Sequence, residues 1–381
     1  MVLITIKKIK TDYCTSIIFG AMIIAWKKFS IQWCPLAFIA LMFASCSIFK
    51  GSQTPIQTFT NPLLPRGADP WNIYKDGYYY YTQTMGNRIE IWKTKNLAEL
   101  NTAPHKTVWT PPKGTVWSRD LWAPEIHFIN GKWYVYFAAD DGKNVNHRLY
   151  VLENGSKDPL EGEWTFKGKV SDSTNRWAID GSVFEHKNQW YMTWAGWEAH
   201  KNGSQDIYIA KMANPWTIDG KRVRISAPTF DWEKYGDLIA DSASDNPPHV
   251  DVNEGPEILK HKKKLFLVYS ASACWTDYYG LGMLTFTGKN NNLLDSASWQ
   301  KSPASVFKQS SLNSVYAPGH NSFFKSPNGK EDWILYHANR APNMGCGGSR
   351  SPRAQKFTWN KDGTPNFGEP VKEGVPMPAP K

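Results

Sequence analysis

"APEIHFINGKWYVYFAA", residues 123–139, reads as a hairpin. Ile126 and Phe128 lie on the first arm, Asn130-Gly131 breaks the run, and Trp133 to Phe137 form an aromatic second arm. The phrase recurs as "ADPWNIYKDGYYYYTQT" (68–84), "IDGSVFEHKNQWYMTWAG" (179–196), "VNEGPEILKHKKKLFLVYSAS" (252–272) and "APGHNSFFKSPNGKEDWILYHAN" (317–339), the last with a longer turn. The copies begin roughly 55 to 75 residues apart, a spacing that suits multi-strand blades. Further strands are expected between them at "RIEIWKT" (88–94), "RLYVLEN" (148–154), "DIYIAKM" (206–212) and "LGMLTF" (281–286). Long helical periodicity is absent. Five units of four strands predict an all-β, five-bladed β-propeller. A β-helix would need shorter and more uniform repeats, and a sandwich would not give five similar hairpins.

In a propeller the innermost strands line a central channel, so matching positions at their starts converge on the axis. Those positions are Asp69, Pro124-Glu125, Asp180, Glu254-Gly255 and Gly319-His320. Asp69 in "ADPW" and Asp180 in "IDGS" each sit in a common turn dipeptide. Glu254 is harder to read that way, because Glu is a poor turn former. Taken singly, each carboxylate has a structural explanation; their shared phase favours chemistry. Three convergent carboxylates suit glycoside hydrolysis. One activates water and one donates a proton to the leaving oxygen, with about 6.5–9.5 Å between the two for inversion. The third raises the acid's pKa by like-charge repulsion and orients it.

The motifs "ADP", "WAPE", "IDGSVF", "NEGPE" and "PGHNSF", in this order over residues 61 to about 370, resemble glycoside hydrolase family 43. These are five-bladed propeller enzymes acting on arabinose- and xylose-containing polysaccharides. The resemblance implies that Asp69 is the general base, Glu254 the general acid, and Asp180 the pKa modulator and orienter. Glu125 is expected to support the site, and Glu257 to pack the blades or back the acid. Trp71, Trp122 and Trp197 are candidates for sugar stacking, with blade packing an equal alternative for each. His320 matches a family histidine near the axis, where a bound calcium ion is one expectation, although Ca²⁺ prefers oxygen ligands. Arg353 in "SPRAQKF" is expected to reach the axis and hold a sugar hydroxyl or Glu254.

The stretches 123–139 and "GCGGSRSPRAQKFTWNKDGTPNFGEPV" (345–371) look most like members that release terminal arabinofuranose from α-1,5-arabinan. Many of the family's β-xylosidases carry a further C-terminal β-sandwich, for which the sequence after the fifth copy leaves no room. A β-xylosidase and an endo-arabinanase remain alternatives within the family. Outside it, the alternatives are an inactive carbohydrate-binding propeller and a structural interaction propeller. The segment "FDWEKYGDLIADSASDNPPHVD" (230–251) is positioned to wall a pocket. HEXXH, P-loop, dinucleotide-binding glycine and GxSxG patterns are all absent.

The composition agrees with a sugar-handling β protein. The 381 residues include 19 Trp, 17 Tyr and 18 Phe, residues that pack strands or stack on sugar rings. The first 46 residues differ from the rest. Lys27 and Lys28 precede an apolar run, Trp33 to Ser45, that ends in "LMFASC". This reads as a signal peptide with a lipoprotein-type Cys46, and translation starting at Met22 would account for the extra apolar stretch upstream; an uncleaved anchor is the rival. Residues 47–60 read as a tether, and 61–381 as the catalytic propeller. The expected location is a bacterial envelope, with a lipid anchor in the membrane. Beyond Cys46 only Cys274 and Cys346 remain, and in an exported protein these two either pair or stay as buried thiols. The net charge is +10, of which residues 1–46 supply +4, leaving a mild +6. Lysines scattered over turns, such as "KHKKK" (260–264), read as a solvated surface, with no nucleic-acid module. A monomer acting on oligo- or polysaccharide, with no required cofactor, is expected.

Overall fold

The computed structural model describes residues 57–238, 247–288 and 291–381. Signal segment, Met22 and Cys46 lie outside the described residues, as does most of the tether. Five antiparallel meanders follow one another, each of four strands. Their innermost strands are Ala68–Lys75, Arg119–Ile129, Ala178–His186, Asp251–His261 and Tyr316–Lys325. Each packs against the innermost strand of the next meander, and the fifth packs against the first. The meanders therefore form a closed ring of blades around an axis, as the five repeats predict. Blades three and four also share a short parallel pairing, Ser204 with Asp251 and Gln205 with Val252.

The hairpins fall where the repeats place them, and the third strands are Ile89–Thr94, Arg148–Asn154, Ser204–Asn214, Gly280–Phe286 and Ser351–Trp359. Asn130-Gly131 closes a two-residue turn with both φ angles positive, and Asp76-Gly77 does the same in blade one. The outer strands were not legible. Thr165–Val170 and Thr217–Ser226 are short on apolar residues because they face solvent at the rim.

Blade faces pack against each other, so a middle strand is buried on both sides and needs no polar face. The run Tyr78–Tyr81 shows how. Tyr79 and Tyr81 point into the seam with blade five, beside Phe324 and Trp333. Tyr80 points the other way, edge-on to Trp133 of blade two at 4.9 Å. One four-residue stretch thus glues two seams.

The ring closes at the seam between blades five and one. Thr58–Phe59 pairs with Met377–Pro378, so two residues read as tether belong to the fold. Next to this pair, buried Asn61 bonds both sides of the Ala354 peptide environment: its Nδ2 donates to the Ala354 carbonyl at 3.1 Å, and the Ala354 N–H donates to its Oδ1 at 2.9 Å. Leu63 N–H donates to the Pro352 carbonyl at 2.8 Å. Asn61→Ala strands two buried backbone groups. We expect it to cost about 2–4 kcal/mol, read as a lower denaturant midpoint with an unchanged slope.

Candidate active site

Each innermost strand is interrupted near its start by a bulge, and in every blade a residue at the matching position is left-handed; Asp120 and Ala317 add a second in blades two and five. The matching residues are Asp69 (φ 56°), Ala123 (φ 45°), Asp180 (φ 55°), Gly255 (φ 56°) and His320 (φ 47°). A left-handed bulge turns a side chain out of the strand's alternation. Here it aims two aspartates and a histidine at one place. Glu254 precedes the bulged Gly255, and a Cβ on that glycine would stand 3.3 Å from His320 Nδ1. Much of the remainder comes from the far ends of the second strands and the loops that follow them. Thr84 ends a second strand, and Asn144, Asn202, Trp275 and Arg350 lie in loops joining second to third strands, around a cavity of about 330 Å³ also lined by Asp69, Asp180 and Glu254. Trp177 and Leu238 reach it from the connections between blades.

Asp69 is held as an anion. Burial pushes its carboxyl up, but His320, Arg350 and His337 outweigh this and hold it far below the usual range. His320 Nδ1 lies 3.3 Å and Arg350 Nη1 3.5 Å from Oδ1, and the Thr84 hydroxyl donates to Oδ2 at 2.5 Å. The Asp69 N–H donates to His337 Nδ1 at 3.0 Å, which fixes that ring's orientation. Burial drives both imidazoles toward neutrality, so the lasting positive charge beside Asp69 is Arg350.

Glu254 is pushed the other way, to about 7. Burial is the main cause, and the Asp69 charge adds to it against the opposing Tyr279 hydroxyl and Arg350. Tyr279 donates to Glu254 Oε1 at 2.8 Å. Its ring lies where a Cβ on Gly319 would come within 2.1 Å, so that position must be glycine. Asp180 is raised well above the ordinary carboxylate value by burial and then by Glu254 and Asp69, against one hydrogen bond from the Gly255 N–H at 2.9 Å. Deeper along the channel, Ser182 Oγ donates to Glu257 Oε2 at 2.8 Å, and Glu125 lies 2.9 Å from His127 Nε2. Burial keeps both glutamates well above their ordinary values.

Of the expected sugar-binding residues, Trp122 and His320 line the cavity. Trp71 does not; its indole N–H donates to the Ile126 carbonyl at 2.9 Å and the ring packs between blades one and two. Trp197 is buried face to face against Trp177 at 4.6 Å, and Trp177 is the one at the cavity. Arg353 also departs from expectation. It lies inside the third strand of blade five, fully buried, with Nη2 3.4 Å from Glu373. Arg350, in the loop just before that strand, takes the place expected of it. His320 Nδ1 faces Asp69 at 3.3 Å and Asp180 at 4.0 Å. Among the described residues no three His, Cys, Asp or Glu side chains are grouped to hold a metal ion.

Sequence reasoning missed Arg350, Trp177, Trp275 and Tyr279. Arg350 and Trp275 carry no repeat phase, since loops differ from blade to blade. Cys274 and Cys346 do pair, with Cα atoms 5.2 Å apart, and both line the cavity. The disulfide joins the loop ending in Tyr279 to the loop ending in Arg350, and the Asn343 N–H adds a bond to Asp277 at 2.8 Å. Segment 230–251 contributes Leu238 to the wall. It is pinned by Trp275 Nε1 donating to the Asp237 carbonyl at 2.8 Å, and at its base by buried Glu233 on Lys301 at 2.8 Å.

Residues 59–365 match the glycosyl hydrolases family 43. The chain belongs to that family. It is 43% identical over 331 residues to an extracellular exo-α-(1→5)-L-arabinofuranosidase of Streptomyces avermitilis, covering 84% of this chain and 66% of that one. It therefore spans just under two thirds of that relative. A protein of the same description from Streptomyces chartreusis is 38% identical, over 74% of this chain and 83% of its own. The crystal structure of an α-L-arabinofuranosidase from Lactobacillus brevis superposes with a TM-score of 0.75 at 38% identity, covering 83% of this chain and 98% of that one.

Tyr279→Phe keeps the ring and removes the hydroxyl that lowers Glu254. We expect the Glu254 carboxyl to titrate above its present value of about 7, as measured by carbon-13 NMR of labelled glutamate side chains.

Proposed function

We propose that the protein is an exo-acting, inverting α-L-arabinofuranosidase that releases terminal arabinofuranose from arabinan. The observation that carries this reading is the split between two carboxyls in one cavity: Asp69 held ionised, Glu254 held protonated up to about pH 7. Such a split assigns base and acid. Glu254 gives its proton to the glycosidic oxygen as the bond to the anomeric carbon breaks. A water on the opposite face attacks that carbon and passes a proton to Asp69. The configuration inverts, giving β-arabinofuranose from an α-linkage. Asp180, whose carboxyl is raised well above its ordinary value by burial and by Glu254 and Asp69, accepts from the Gly255 N–H and so holds the position of the acid. The arabinose preference rests on the relatives' names and on their identity to this chain. Leu238 and Trp275 line the cavity beside the three carboxyls, where they would bound the site of a terminal residue.

The mechanism sets the sign of the pH dependence. Glu254 must be protonated, so kcat/KM falls as pH rises through about 7. Asp69 must be ionised, and its depressed pKa keeps the acid limb below the neutral range. Glu254→Gln is expected to lose roughly 10²–10⁴-fold on arabinan and much less on a nitrophenyl arabinofuranoside, whose leaving group needs little protonation. Equal losses on both would contradict the acid assignment. Proton NMR of early product from linear arabinan should show arabinose in the inverted form; arabino-oligosaccharides would instead indicate an endo-enzyme, and xylose from xylan a xylosidase.

We further propose export with lipid on Cys46, supported by the "LMFASC" run and by relatives described as extracellular. Cys46→Ala should move the enzyme from the membrane fraction to the soluble one.

A further inference from the structure

A second concave surface lies on the outer side of blade two. It is a cavity of about 510 Å³, separate from the acidic one. Its floor is aromatic. Trp117 stacks on Phe166 at 4.8 Å and 20°, Phe166 stacks on Trp109 at 5.9 Å and 8°, and Tyr150 closes the side 5.8 Å from both Trp117 and Phe166. Val116 at the edge is 56% exposed, unusual for a large apolar residue in this protein.

The rim is polar and held in place by its own bonds. Arg148 Nε donates to Asn175 Oδ1 at 3.2 Å, and Lys169 Nζ donates to the same oxygen at 2.7 Å. Asn146 Nδ2 donates to both Asp141 oxygens at 3.0 Å. Arg148 also donates through Nη1 to the His147 carbonyl at 2.7 Å and the Val145 carbonyl at 3.3 Å, which leaves its Nη2 and the other Lys169 N–H groups for a ligand's hydroxyls. An aromatic cluster with fixed hydrogen-bonding groups around it suits a sugar ring, whose C–H face can pack on an aromatic side chain while its hydroxyls meet the polar rim. A lipid chain would leave the rim unused.

The groove adjoins the catalytic cavity through one loop. Asp141 and Asn146 face the groove, while Asn144, between them in sequence, lines the catalytic cavity and accepts from Trp177 Nε1 at 2.8 Å. We propose that the Trp117–Phe166 groove is a second carbohydrate-binding site, occupied by another segment of the pentose polymer whose terminus enters the acidic cavity. The choice of polymer rests on the proposed arabinofuranosidase function; the shape and chemistry of the groove do not. The site would raise affinity for polymer by linked binding, without altering the chemistry on a short substrate.

The test uses the whole mature chain and linear arabinan. Two variants are made: Trp117→Ala, which removes the floor, and Val116→Glu, an exposed change that puts a charge at the edge. Affinity electrophoresis in arabinan gels reads binding; kinetics on polymer and on arabinobiose read catalysis. Both variants should bind polymer roughly five- to tenfold more weakly, with a matching rise in polymer KM and with kcat/KM on arabinobiose unchanged. Unchanged polymer affinity in both variants overturns the proposal, as does an equal loss on arabinobiose. Arabinose release with no variant effect would sink the groove and leave the function standing. Retardation lost in the variants, but without arabinose release by the parent, would support the groove and sink the function.

Discussion

The site depends on one backbone irregularity used five times. At the same register of every innermost strand, a residue adopts the left-handed conformation and the ladder slips past it. For Asp69, Asp180 and His320 this carries a cost of about 1 kcal/mol or more each, sustained because hydrogen bonding and seam packing fix the strands on both sides. The bulge brings side chains that strand alternation would send into the seams to a common point on the axis. Where the geometry needs a backbone donor instead, the position holds Gly255, whose N–H meets Asp180.

Convergence creates the electrostatics. Three carboxyls are buried within reach of one another, so they cannot all ionise at moderate cost. Arg350, Thr84 and the histidines decide which one does, by gathering around Asp69. Glu254 has only a tyrosine hydroxyl at close range and stays protonated near neutrality. The roles proposed for these groups follow from unequal surroundings of chemically similar side chains. The Cys274–Cys346 link holds together the two loops that supply those unequal partners, Tyr279 and Arg350.

Much of this was legible in the sequence, for a definite reason. Blade hairpins repeat, and repeated "ADPW", "IDGS" and "NEGPE" phrases report their phase, so Asp69, Asp180 and Glu254 could be picked out from turn residues. Loops between second and third strands do not repeat. Arg350 was therefore passed over for Arg353, three residues on, which a strand position buries against Glu373. Tryptophans were legible only by type. Trp71 and Trp197 fill seams while Trp177 and Trp275 reach the cavity, and nothing in their local sequence separates the two fates. The tether's last residues were misread because Thr58–Phe59 finds its partner at Met377–Pro378, some 320 residues away.

The central claim is that Asp69 and Glu254 hold opposite protonation states at the same pH. Neutron diffraction from deuterium-exchanged crystals near pH 6 would observe this directly. The account predicts a deuteron on the Glu254 carboxyl and none on Asp69. A deuteron on Asp69, or a bare Glu254 carboxylate, would contradict it.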